Sequence, residues 1–176
     1  MTQQLAAGEV GRLKVPSSVA DTDNLVIYQG GVITKPTVSQ ITGGVVKTAH
    51  VTLTSAQILA LNATPVSVLA APGAGYVNVI TMVHATKAAG TAYAGIATGE
   101  DIAFRYTDAS GAIIATLEMT GFADSASATS GIAVGASNNT VANAAIVAHM
   151  TTGEITTGNS PFLFTIYYRT FPIPAF

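Results

Sequence analysis

Cysteine is absent from this chain, and so is tryptophan. Without cysteine there can be no disulfide, no thiolate zinc site and no thiol nucleophile, so durability has to come from packing and association. Charge is also scarce: 9% of the 176 residues are charged, against about 25% in an average soluble domain. Because so few charges solvate a lone monomer poorly, we expect other molecules to cover much of its surface.

The charge balance and the apolar pattern also limit the partners. The formal net charge is −2, so the chain lacks the basic surface that binds nucleic acid through its phosphates. The longest uncharged run, between Lys47 and Lys87, is interrupted by Pro65, Pro72 and several polar residues, so it predicts no bilayer-spanning helix. The N-terminus shows no secretory signal pattern, which predicts synthesis in the cytoplasm and no membrane partner.

Residues 1–47 differ from the rest of the chain. Short apolar bursts are separated by glycine and proline every several residues, a pattern that prevents a packed helix or a long strand ladder. The pattern predicts an extended N-terminal arm whose apolar residues anchor it on a partner. The predicted contact residues are Leu13, Val15, Val26, Ile27, Tyr28, Val32 and Ile33.

Residues 48–176 have the pattern of an all-β body. Segments rich in Val, Ile, Thr and Tyr alternate with period two and are separated by glycine-rich turns at spacings near ten residues. This predicts an antiparallel β-sandwich or a jelly-roll-like barrel. The predicted strands are 46–54, 64–70, 75–86, 101–107, 112–119, 143–150 and 162–171.

Several local signals refine this body. Asp108 to Gly111 predict a hairpin loop, and Pro72 to Gly75 predict a tight turn between two strands. Thr54 and Gln57 form a capping-box pattern that predicts one short helix, with Asn62 as a left-handed stop. Residues 87–99 and 121–140 are low in complexity. They predict long loops that either pack against a neighbouring molecule or are simple surface loops.

The last predicted strand has the clearest alternation. Phe162, Phe164, Ile166 and Tyr168 fall on one face, which predicts core positions. The intervening residues Leu163, Thr165, Tyr167 and Arg169 are then predicted to point outward.

Groups able to do chemistry are few and scattered. His50, His84 and His149 lie in separate predicted strands, so each is more simply a hydrogen-bonded structural residue than a ligand or base. Glu100 and Asp101 are adjacent on a strand and point to opposite faces, and Asp108 suits a turn-capping role. Calcium binding by the loop carboxylates is the stronger alternative use of Glu100, Asp101, Asp108 and Asp124. No nucleophile elbow, P-loop or HExxH pattern is present, so we expect no enzyme, no metal site and no cofactor.

Three segments together resemble a known kind of protein. They are VTLTSAQILALNATPVSVLAAPGAGYVNVI (51–80), GEDIAFRYTDASGA (99–112) and GNSPFLFTIYYRTF (158–171). They are similar to the small decoration, or cement, proteins of tailed bacteriophages, over about residues 48 to 173. The resemblance implies a β-rich body, commonly trimeric at local three-fold positions on the capsid surface. It also implies that the arm or loops clasp adjacent subunits of the major capsid protein.

Two other classes stay open at this point. One is a different virion component, such as a head fibre base, a tail protein or a receptor-binding protein, which a glycan-binding pocket of outward aromatic residues would favour. The other is an enzyme or a free ligand-binding module, which predicts a soluble monomer with a deep polar cleft.

Overall fold

The computed structural model describes residues 27–29, 32–34, 45–96, 99–136, 139–153 and 155–173. The chain divides into two compact units, Met1–Gln40 and Ile41–Phe176. In the first unit, strands β1 (Ile27–Gln29) and β2 (Val32–Thr34) form an antiparallel pair. The predicted contact residues Ile27, Tyr28, Val32 and Ile33 lie in this pair, whereas Leu13, Val15 and Val26 lie outside the described residues.

The described part of the second unit contains eight further strands and one short helix. The strands are β3 (Lys47–Leu53), β4 (Val66–Leu69), β5 (Tyr76–Lys87), β6 (Ile102–Tyr106), β7 (Ile113–Leu117), β8 (Thr129–Val134), β9 (Ile146–Met150) and β10 (Phe162–Pro172). The helix α1 spans Ser55–Leu59. The prediction of an all-β class is therefore confirmed.

The eight strands pair in a nested order. β3 pairs with β10, β4 with β9, β5 with β8 and β6 with β7, all antiparallel. The chain is thus a long hairpin that is rolled up so that β10 also pairs with β5, and β6 with β9. The result is two four-stranded sheets, ordered β3-β10-β5-β8 and β4-β9-β6-β7. This nested, rolled arrangement is the jelly-roll form of the β-sandwich.

Aromatic side chains fill the space between the two sheets. Phe162, Phe164 and Ile166 of β10 are fully buried, as their alternation predicts, while Leu163 between them is exposed. The rings of Phe104 on β6 and Phe164 meet edge to face with centroids 5.5 Å apart, which joins one sheet to the other. The core positions predicted for Phe162, Phe164 and Ile166 are therefore confirmed, whereas Tyr168, predicted with them, is only partly buried against the core.

The short helix begins with the predicted capping box. The side chain of Thr54 accepts a hydrogen bond from the Gln57 N–H, and the Gln57 side chain accepts one from the Thr54 N–H at 2.9 Å. The predicted stop at Asn62 is wrong, because the C-cap is Ala60 and Asn62 has no positive φ. The Asn62 amide instead donates to the Met150 carbonyl at 3.1 Å, so a tertiary contact holds this residue.

β8 was not among the predicted strands, because residues 121–140 have the composition of a loop. The prediction is wrong for residues 129–134, which pair with β5 in an unbroken register from Thr129↔Lys87 to Val134↔Met82. This strand forms one edge of the β3-β10-β5-β8 sheet.

Candidate docking face

The outward face of the β3-β10-β5-β8 sheet consists of three straight rows of side chains. In the central row, Thr165 of β10 is paired with His50 on one side and His84 on the other, and His84 is paired with Ile132. A second row is centred on Leu163 and a third on Tyr167, and each of these two residues is paired with one residue of β3 and one of β5. These rows arise because antiparallel strands place directly paired residues on the same side of a sheet.

With histidine counted as neutral, none of the twelve side chains on this surface carries a formal charge. We call this surface the neutral face; it consists of Thr48, His50, Thr52, Met82, His84, Thr86, Ser130, Ile132, Val134, Leu163, Thr165 and Tyr167. All twelve are at least partly accessible, and Ile132 and Val134 are 61% and 64% exposed. The outward positions predicted for Leu163, Thr165 and Tyr167 are thus confirmed.

The edge strand contributes the most exposed apolar residues of the neutral face, and the sequence reading missed them. Ile132 and Val134 lie in β8, whose glycine and alanine neighbours disguise a strand as a loop. The sequence signal that could have identified them is the pair of β-branched residues Ile132 and Val134 at alternate positions, with alanine between them, a pattern of period two.

Two of the histidines, His50 and His149, lie within hydrogen-bond distance of another group of the protein. His50 Nδ1 lies 3.2 Å from the Thr165 hydroxyl, on the neutral face. His149 is buried in β9, and its Nε2 lies 3.1 Å from the Asn62 carbonyl oxygen. His84 is separated from His50 by a whole strand, which places them about 10 Å apart, too far to share one metal ion.

The carboxylates support turns rather than a common site. Asp108 accepts a hydrogen bond from the Ser110 N–H at 2.8 Å, which confirms its predicted turn-capping role. Asp124 accepts one from the Gly121 N–H at 2.7 Å. Burial raises the pKa of the Asp101 carboxyl; the Met119 N–H lowers it, and Glu118 raises it further by charge and hydrogen bonding. Within the described ranges, no three His, Asp or Glu side chains are grouped so that they could hold a metal ion.

A small cavity of about 220 Å³ lies beside β5 and the end of β8. Its lining is uncharged: Val79, Ile80, Tyr106, Ile114, Gly135, Ala136 and Thr140. The Tyr106 hydroxyl already donates to the Asn78 carbonyl at 2.6 Å, and burial raises its pKa. The cavity therefore presents no free acid, base or activated nucleophile.

Three loops close one end of the sandwich around Tyr93. The Tyr93 N–H donates to the Ala123 carbonyl at 3.0 Å, and the Tyr93 hydroxyl donates to the Ser160 carbonyl at 2.6 Å. The ring meets Phe162 edge to face with centroids 5.2 Å apart. The predicted low-complexity loop 87–99 thus contains a buried anchor.

Tyr93 should make the protein sensitive to strong base. Burial raises the pKa of Tyr93 to about 12, against 10 in the unfolded chain, so the folded state resists deprotonation of this group. Its contribution to stability is complete below pH 10 and is lost as the pH rises from 10 through 12. We expect urea unfolding midpoints to fall across this window in the wild type. The unfolding midpoint of Tyr93→Phe should fall less across the same window. At pH 7 this variant should be about 1 to 2 kcal/mol less stable than the wild type, because the Ser160 carbonyl loses its donor. Equal pH profiles for both proteins would contradict the assignment.

Comparison of the chain with family models, with curated proteins and with solved structures gives no match. No helix in the part of the chain that the structure describes is long and apolar enough to cross a bilayer. Function therefore has to be argued from the surfaces themselves.

Proposed function

We propose that this protein is a structural component of a tailed-bacteriophage virion, a decoration protein that binds the outside of the capsid. In this role it cements neighbouring subunits of the major capsid protein, as a homotrimer at local three-fold positions. It is made in the host cytoplasm and acts on the virion surface without a cofactor. The resemblance of its strand and turn segments to cement proteins supports this proposal.

The observation that carries the proposal is the unusual makeup of the body's exterior. The described residues include nine large apolar side chains that are at least about a third exposed: Val45, Val46, Ile113, Ile132, Val134, Val141, Leu163, Phe171 and Ile173. The same part of the chain has only eight charged side chains outside the core. Because the burial of exposed apolar area against other molecules is favourable, such an exterior suits a subunit of a large assembly.

A cementing role needs contacts rather than chemistry. Many copies, each with modest contacts across a seam between subunits, give a large combined resistance to rupture through multivalency. The arm residues Leu13, Val15, Val26, Ile27, Tyr28, Val32 and Ile33 are the proposed contacts with adjacent capsid subunits. A jelly roll hosts many functions, so the fold alone does not choose among them.

Quantitative mass spectrometry of purified particles tests the proposal. Particles of the phage that encodes this chain should contain it in copy numbers comparable to the major capsid protein, and antibodies against the body should bind intact heads. Absence from the particles would refute a virion role. Presence in a few copies at the tail would favour the alternative of a tail or receptor-binding protein.

A further inference from the structure

Among the described strands, the neutral face reaches a sheet edge, β8, that lacks the features which usually protect an edge. Natural edge strands are usually blocked by lysine, proline, a bulge or short length. β4, at the edge of the other sheet, is four residues long, follows Pro65 and has a register shift in its pairing. β8 has six residues, no proline, no charge and no register shift. Its two outward apolar side chains, Ile132 and Val134, therefore extend the neutral face to an edge on which no other described strand pairs.

We propose that the body docks on the capsid through the neutral face, including the β8 edge, in addition to the contacts of the arm, and that the partner of this face is an uncharged patch of apolar and hydroxyl side chains repeated over the capsid lattice. This inference rests on the proposed function, because it names the surface through which the cement protein binds.

The absence of charge on the neutral face determines which side chains its partner can present. A charged residue pressed against the neutral face would lose its water without gaining an opposite charge, which is costly. Hydroxyl and apolar groups meet no such penalty, since Thr48, Thr52 and Thr165 can both donate and accept hydrogen bonds. Along β10 the nearest charge is Arg169, two residues beyond Tyr167. The matching surface must therefore be uncharged over the same span.

The area of the neutral face favours a repeated patch of the capsid lattice over a second copy of this chain as its partner. Four strands about 4.8 Å apart and three rows about 6.8 Å apart give a face of roughly 400 Å². A stable pairwise interface needs about 800 Å² from each partner, so a face-to-face dimer would be weak. A repeating lattice overcomes this limit, because an oligomer with several neutral faces binds several patches at once.

A pair of matched aspartate variants tests this docking surface. Val134→Asp places a carboxylate on the neutral face, whereas Thr116→Asp places one at an exposed position of β7, the edge strand of the other sheet. The probe is purified phage heads freed of the wild-type protein, and the measurement is bound protein after co-sedimentation over a range of concentrations. We expect Val134→Asp to bind at least about 100-fold more weakly, and Thr116→Asp to bind like the wild type. Thermal melting confirms that both variants are folded, and Thr165→Glu serves as a second variant if Val134→Asp melts early.

The outcomes separate the two proposals. If wild-type protein binds heads and both neutral-face variants bind equally well, the docking surface is wrong while the cement role stands. If the wild type itself does not bind, the cement role fails and the docking surface with it. If Val134→Asp abolishes a dimer of the free protein but leaves head binding intact, the face serves self-association and the lattice partner is wrong.

Discussion

Phe162→Ala should destabilise the body by about 4 kcal/mol, on the order of a 10 to 15 °C fall in the melting temperature. The side chain is fully buried, and its ring contacts three other aromatic rings, those of Tyr93, Phe122 and Phe164. Truncation removes the transfer free energy of the ring and leaves a cavity that two β-sheets cannot easily collapse. Chemical denaturation monitored by circular dichroism measures the loss.

The matched control for this variant is the next residue along the same strand. Leu163 is 40% exposed and points to the neutral face, so Leu163→Ala should change stability by less than about 1 kcal/mol. Similar losses in the two variants would show that β10 does not present alternate residues to core and exterior as described.

Lys87→Met should cost about 3 kcal/mol, roughly 10 °C in melting temperature, although it replaces a charged residue with an apolar one of similar length. The Lys87 side chain is 2% exposed, and its ammonium donates to the carbonyls of Ala88, Ser125 and Ser127 at 3.3, 2.7 and 3.1 Å. Methionine leaves these three acceptors without a donor, in a site with little access to water. Denaturant unfolding measures the loss of stability. Protease digestion should cleave the loop of residues 119–128 sooner in the variant than in the wild type.

Lys47→Met is the control for the loss of a lysine charge. The Lys47 ammonium makes a single hydrogen bond, at 3.0 Å to the Thr170 hydroxyl, and the side chain is only part-buried. We expect a change below about 1 kcal/mol. If Lys87→Met were as stable as the wild type, the three carbonyl bonds would not hold the loop.

The elements that sequence reasoning predicted correctly are those whose signal is local. The Thr54 capping box, the hairpin loop starting at Asp108 and the alternation of Phe162 and Phe164 each depend on residues within a few positions of one another. Such patterns directly reflect backbone geometry, so they survive in the folded protein.

The sequence did not predict β8 because the reason for its glycine lies in tertiary packing. A Cβ on Gly131 would lie 2.9 Å from the Leu117 Cδ1, so a side chain here would require the Leu117 side chain to shift. Gly135 is required, because a Cβ there would clash with the backbone carbonyl oxygen of Ile80. In the sequence both glycines resemble turn signals, whereas in the fold they allow close approach of the backbone to its neighbours.

The neutral face could not be predicted because its residues come from four separated segments. His50, His84 and Ile132 share a row with Thr165 only after β3, β5 and β8 join β10 in one sheet. The pairing order depends on the rolled topology, which no local pattern specifies. The composition shows that charge is scarce. It does not show that uncharged residues form one continuous face of the folded protein.

The most direct measurement of the central claim is a cryo-EM reconstruction of the intact phage head. The account predicts a jelly-roll density on the outer surface at local three-fold positions, with β3, β10, β5 and β8 turned toward the capsid and Val134 within contact distance of a capsid subunit. A head without this density, or a bound body whose neutral face points to solvent, would contradict it.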